Sequence, residues 1–157
     1  MEVIVYAAAG RPGGEKALAR RLLALALERE YGLRGMPETA REPGGKPYFP
    51  ERPDICFNLS HSHGAAVCAI HDRPVGVDVE KLRPAPKRLA GGLKDEAFFR
   101  LWTAKEATVK RRGEGIAALR RLEAPDPLCQ CLEGLLEGFI VTVCPSEPAA
   151  VRTVRIE

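Results

Sequence analysis

Two helix-length stretches, separated by apolar runs of strand length, constrain this 157-residue chain more than any other feature. Residues 15–31 put Leu18, Leu22, Leu25 and neighbouring alanines on one face and charges on the other, with Gly32 as the stop. Residues 95–112 repeat the pattern. At about 100° per residue, Phe98, Leu101, Trp102 and Val109 share one arc, and Gly113 and Gly115 end the helix. The other apolar runs, at 2–8, 55–59, 65–71, 75–80, 138–144 and 150–156, are long enough only for strands. Weaker strand candidates lie at 119–123 and 129–133. Residues 36–53, rich in Pro and Gly, read as a long ordered loop, and 81–92 as a helix fragment and a loop. Each half thus carries one main helix and several strands, which predicts an α+β fold. No internal sequence repeat is visible.

Composition narrows the function classes. A net charge of +3, with both signs well mixed, is too mild to indicate nucleic acid. The five cysteines include no C-x-x-C pair, only the C-x-C of Cys129 and Cys131, so reduced thiols are expected and a zinc site is not. No apolar run approaches the roughly 20 residues of a transmembrane helix. The first residues carry Glu2 and no basic cluster, and read as a strand rather than a signal peptide. A cytoplasmic, soluble protein is expected.

Four stretches carry groups able to do chemistry. In "VGVDVE", strand alternation turns Asp78 and Glu80 to one face, where two hard oxygen donors suit Mg²⁺. The same pattern also fits an edge strand with a wet acidic face. In "FFRLWTAKEATVK", Lys105 and Glu106 interrupt the apolar arc. A buried charge needs a partner, and Glu106 is placed to complete the acid cluster of Asp78 and Glu80. Lys110, one turn on, either pairs with Glu106 on the surface or extends toward a phosphate. Lys105 either does the same or snorkels to solvent. In "FNLSHSHG", Ser60, His61, Ser62 and His63 read as a polar turn, which either cradles a phosphate or satisfies its own backbone. The nucleophile elbow G-x-S-x-G is absent from it. In "GGKPYF", Lys46 sits between paired glycines and Pro47, a loop tip that presents a lysine to an anion or merely to water.

Taken in order, G-K-P (Gly45–Pro47), F-N-x-S-H-S (Phe57–Ser62), V-G-V-D-x-E (Val75–Glu80) and F-F-x-L-W-T-x-K-E-A-x-x-K (Phe98–Lys110) resemble the 4′-phosphopantetheinyl transferases of the monomeric, two-lobed type. The likeness runs over roughly residues 15–116. It implies two similar α+β lobes related by a pseudo-twofold axis, here about 1–73 and 74–157, each with one main helix on a small, mostly antiparallel sheet. It implies coenzyme A as co-substrate, bound between the lobes, and transfer of its phosphopantetheine arm to a serine of an apo acyl or peptidyl carrier protein, releasing 3′,5′-ADP. By position, Asp78, Glu80 and Glu106 would hold Mg²⁺, with Glu106 a candidate base. Lys105 and Lys110 would contact the phosphates or the pantetheine arm. Lys46 and His61 would hold the 3′-phosphate, with Ser60 nearby. A monomer acting without nucleic acid or membrane is expected. The basic segment that precedes the first long helix in the family has no counterpart here, which leaves Arg11 or Lys16 as substitutes, and the stretch between Lys81 and Phe98 is contracted. Two other readings are carried alongside: a noncatalytic member that binds coenzyme A or a carrier protein, and a divalent-metal phosphohydrolase using the same acids.

Overall fold

The structure, a computed structural model, describes all 157 residues. Strand β1 (Val3–Ala9) leads to helix α1 (Glu15–Tyr31), then the short strands β2 (Ala40–Arg41) and β3 (Pro47–Tyr48). Strands β4 (Cys56–Ser62), β5 (Ala65–His71) and β6 (Val75–Lys81) follow, then helices α2 (Lys87–Ala90), α3 (Asp95–Arg112) and α4 (Ala117–Arg121). Strands β7 (Gln130–Cys131), β8 (Phe139–Pro145) and β9 (Val151–Arg155) close the chain. The fold is α+β, as the element pattern predicts.

One sheet has the order β4-β5-β1-β9 and a second the order β6-β8-β7, while β2 and β3 form a separate pair. All pairings are antiparallel except β1 with β9. Alternation along β1 explains how the sheets stack. Ile4, Tyr6 and Ala8 pack with Leu22, Leu23, Ala26 and Leu27 of α1. Val3, Val5 and Ala7 pack with Val77, Val79, Val141 and Val143 of the second sheet. A strand buried on both faces must be apolar throughout, which accounts for "VIVYAAA". The second sheet turns its other face to α3. The layers therefore run helix, sheet, sheet, helix.

The structure departs from the sequence reading in several places. Residues 119–123 form no strand; α4 covers Ala117–Arg121, and Leu119 packs with Val109, Ala118 and Leu122. So short an apolar run satisfies both periods, and tertiary packing decides between them. Strand β4 runs on to Ser62, and the turn before β5 contracts to His63 and Gly64, both at positive φ. The last strand, read with the second half, pairs in parallel with β1 in the first sheet.

Helix α3 buries only part of the expected arc. Phe98, Phe99, Thr103, Ala107, Thr108 and Val109 are buried, whereas Leu101 is 36% exposed and Trp102 only half-buried. Thr103 and Thr142 sustain this contact with a hydroxyl–hydroxyl bond of 2.8 Å between the helix and β8. Gly76 lets the helix come this close. A Cβ there would run into the carbonyl oxygen of Ala107 and lie 2.6 Å from the nitrogen of Arg111.

Candidate active site

Because Gly76 brings α3 onto β6, the acids two and four residues further along β6 lie under the helix. Asp78 is 5% exposed, and a buried carboxylate needs partners. Its Oδ1 accepts a 3.0 Å bond from Lys110 Nζ and another of 3.0 Å from Ser60 Oγ. Its Oδ2 is buried with no hydrogen-bond partner. Burial raises the carboxyl above its ordinary range, and Lys110 opposes that rise. Lys110 is further tied to the carbonyl of Val77 at 3.2 Å. Glu80, at the half-buried end of the strand, pairs with Arg83 at 2.9 Å. Arg83 in turn stacks its guanidinium 4.6 Å over the ring of Phe99.

Glu106 reaches the same place from α3. Burial raises its carboxyl, and the charges of Asp78 and, more weakly, Glu80 raise it further, with Lys110 opposing. The charges of the three acids act on one another, and two cations offset them. No three of the acids are grouped closely enough here to hold a metal ion, so the expected triad of Asp78, Glu80 and Glu106 is not assembled in this arrangement. The chemistry of the donors still suits a hard divalent cation: the buried Oδ2 of Asp78 lacks any partner, and burial raises the carboxyls of both Asp78 and Glu106.

The other residues singled out in the sequence lie elsewhere. Alternation along β4 sends Phe57, Leu59 and His61 to the α1 side, and Asn58, Ser60 and Ser62 to the β6 side. His61 therefore parts company with Ser60. It lines a cavity of about 510 Å³ with Lys16, Arg20 and Arg41 over an apolar floor that includes Leu23, Phe57 and Leu59. Ser60, 6% exposed, faces Asp78 instead. Lys46 does not end in water. Its Nζ donates to the carbonyls of Val75 at 3.0 Å and Arg111 at 3.2 Å, beside the close contact of Gly44 with Gly113, and burial lowers its ammonium below the usual lysine value. Lys105 lies on another flank of α3. There it lines an apolar cavity of about 330 Å³ with Leu89, Leu93, Leu101, Trp102 and Leu119.

Arg20, Arg41 and Arg83 were not singled out. Arg20 stands one helical turn after Lys16, so the spacing of α1 was a usable signal for a shared basic face. Arg41 is brought in by a long loop and Arg83 by the exit from β6, where no periodicity guides a reader.

No family profile matches the chain. Individual proteins do. The 4′-phosphopantetheinyl transferase AcpT of Salmonella typhi is 34% identical over 139 residues, which are 74% of this chain and 71% of that protein. The 4′-phosphopantetheinyl transferase Sfp of Bacillus subtilis (strain 168) is 30% identical over 136 residues, 66% of this chain and 61% of the relative. The 4′-phosphopantetheinyl transferase HetI of Nostoc sp. is 32% identical over 134 residues, 71% of this chain and 49% of the relative. The chain therefore spans between about half and three-fifths of the length of Sfp and HetI.

Proposed function

The chain belongs to the 4′-phosphopantetheinyl transferase family, and on that premise we propose that it moves the phosphopantetheine arm of coenzyme A to a serine of an apo acyl or peptidyl carrier protein, releasing 3′,5′-ADP. The observation that most supports this reading is the meeting of Asp78 and Glu80 on β6 with Glu106 and Lys110 on α3, one buried carboxylate oxygen being left bare.

In this reading the carrier serine oxygen bonds to the phosphorus that bears the pantetheine arm. The bond from that phosphorus to the oxygen of the ADP portion breaks, and 3′,5′-ADP leaves. Glu106 takes the serine proton. A carboxylate within reach of the serine hydroxyl serves as a general base. Lys110, already on Asp78, adds positive charge beside the reacting phosphate. Asp78, Glu80 and Glu106 would hold Mg²⁺, which when bound stabilises negative charge on the pyrophosphate oxygens. The cavity of Lys16, Arg20, Arg41 and His61 offers cationic groups over an apolar floor, suited to a phosphate and an aromatic base of the nucleotide. The apolar cavity beside Lys105, with Leu89 59% exposed at its edge, is the surface we assign to the carrier.

The test is direct. Incubation with coenzyme A, Mg²⁺ and an apo carrier protein should add one phosphopantetheine to the carrier by mass spectrometry, with 3′,5′-ADP as the coproduct. No gain on several carriers despite coenzyme A binding would leave a binding protein. Free phosphate or ADP formed without any carrier would indicate a hydrolase.

A further inference from the structure

Strand β6 is the edge of its sheet, with β8 on one side only, so its outward amides have no strand to pair with. Side chains of β4 take that place. Val77 N donates to Asn58 Oδ1 at 2.8 Å, Val79 N to Ser60 Oγ at 3.1 Å, and Lys81 N to Ser62 Oγ at 3.3 Å. Each rung joins residues 19 apart, so the ladder advances two residues at a time on both strands. It satisfies buried donors that would otherwise be orphaned.

The two serines do a second thing. A hydroxyl that accepts an amide still has one proton to give. Ser60 gives it to Asp78 Oδ1 at 3.0 Å, and Ser62 can give it to Glu80 Oε2 at 3.3 Å when the His63 ring, 2.9 Å away through Nδ1, donates to the Ser62 hydroxyl. In each case the acid directly precedes the amide that the same serine accepts. The first rung has no such partner, because the residue in step with Asn58 is Gly76. Ser60 and Lys110 both address Oδ1 of Asp78, which leaves the other oxygen of this buried carboxylate with no protein donor.

We propose that Ser60 and Ser62 are positioning residues that orient the carboxylates of Asp78 and Glu80 toward a divalent cation without touching it. This rests on the reading of those acids as a cation site. A ladder serving the fold alone would need only the amide rungs, as Asn58 shows. Fixing the inner oxygen of each acid by a hydroxyl sets the rotation of the carboxylate and so the direction of its free lone pairs.

The experiment is a titration of the metal-free protein with Mn²⁺, read by electron paramagnetic resonance or calorimetry, with thermal melting of each variant. Wild type should bind Mn²⁺, and Asp78→Asn should abolish that binding. Ser60→Ala should weaken it by about 10- to 100-fold, and Ser62→Ala by several-fold. Ser60→Thr, which keeps the hydroxyl, should restore it to within about threefold. Asn58→Ala should lower the melting temperature yet leave the Mn²⁺ affinity within about twofold. Wild-type affinity in Ser60→Ala would overturn the proposal and leave the cation site standing. So would equal weakening in Ser60→Thr. Should Ser60→Ala fail to fold, unchanged affinity in the half-buried Ser62→Ala overturns it. No Asp78-dependent Mn²⁺ binding in the wild type would remove both the proposal and the cation reading beneath it.

Discussion

Asp126 shows at the residue scale how a single carboxylate can be read for its pH behaviour. The amide of Leu128 donates to it at 2.8 Å and Arg111 pairs with it at 3.0 Å, and together they hold its carboxyl below the ordinary range. An acid whose folded value is lowered stabilises the native state above its unfolded value of about 4, and that contribution fades as pH falls through the lower folded value. Asp126→Asn should therefore cost about 1–3 kcal/mol at neutral pH. In urea melts the gap to wild type should narrow steadily as the pH falls below about 4. A gap of equal size at neutral and acid pH would mean that the charge is not what matters. Ser60 and His61 teach the converse lesson. They are adjacent in sequence and were read as one polar turn, but β4 extends through them and its alternation sends them to different sites. The residue types were legible; the strand's length, and hence the direction of each side chain, was not.

At the scale of elements, α1 and α3 were legible to their ends, because each is long, periodic and closed by a glycine. Which face α3 buries was not. Of the apolar arc of Phe98, Leu101, Trp102 and Val109, Phe98 and Val109 are buried, yet the face against β6 and β8 uses Phe99, Thr103 and Ala107. Small and hydroxylic residues carry no hydrophobic signal, but here they permit the close approach over Gly76. The outward apolar residues line the cavity beside Lys105 instead. This has a measurable consequence. Phe99→Ala should destabilise the protein by about 3–5 kcal/mol, whereas Leu101→Ser should change stability by no more than about 0.5 kcal/mol. Equal losses in denaturant titrations would contradict the placement of the helix.

At the scale of the molecule, the acids lie where the two sheets meet along β4 and β6. Lys46 instead ties the segment between β2 and β3 to β6 and α3 by capping a carbonyl of each. The C-terminal strand binds the outside of the first sheet, where Arg152 meets Glu30 at 2.7 Å and Glu30 accepts from Tyr6 at 2.7 Å. A parallel pairing between the first and last strands has no local sequence signal, so the α+β class was legible while this closure was not. The order of the motifs named the family, but it could not show that the serines of one strand brace the acids of another. The central claim is that Glu106 and the β6 acids form one catalytic centre. The most direct measurement is phosphopantetheine transfer to an apo carrier by Glu106→Gln, set beside its thermal melt. The account predicts a fall in kcat/KM of about 100-fold or more with the melting temperature within a few degrees of wild type. Transfer at the wild-type rate by the folded variant would contradict it.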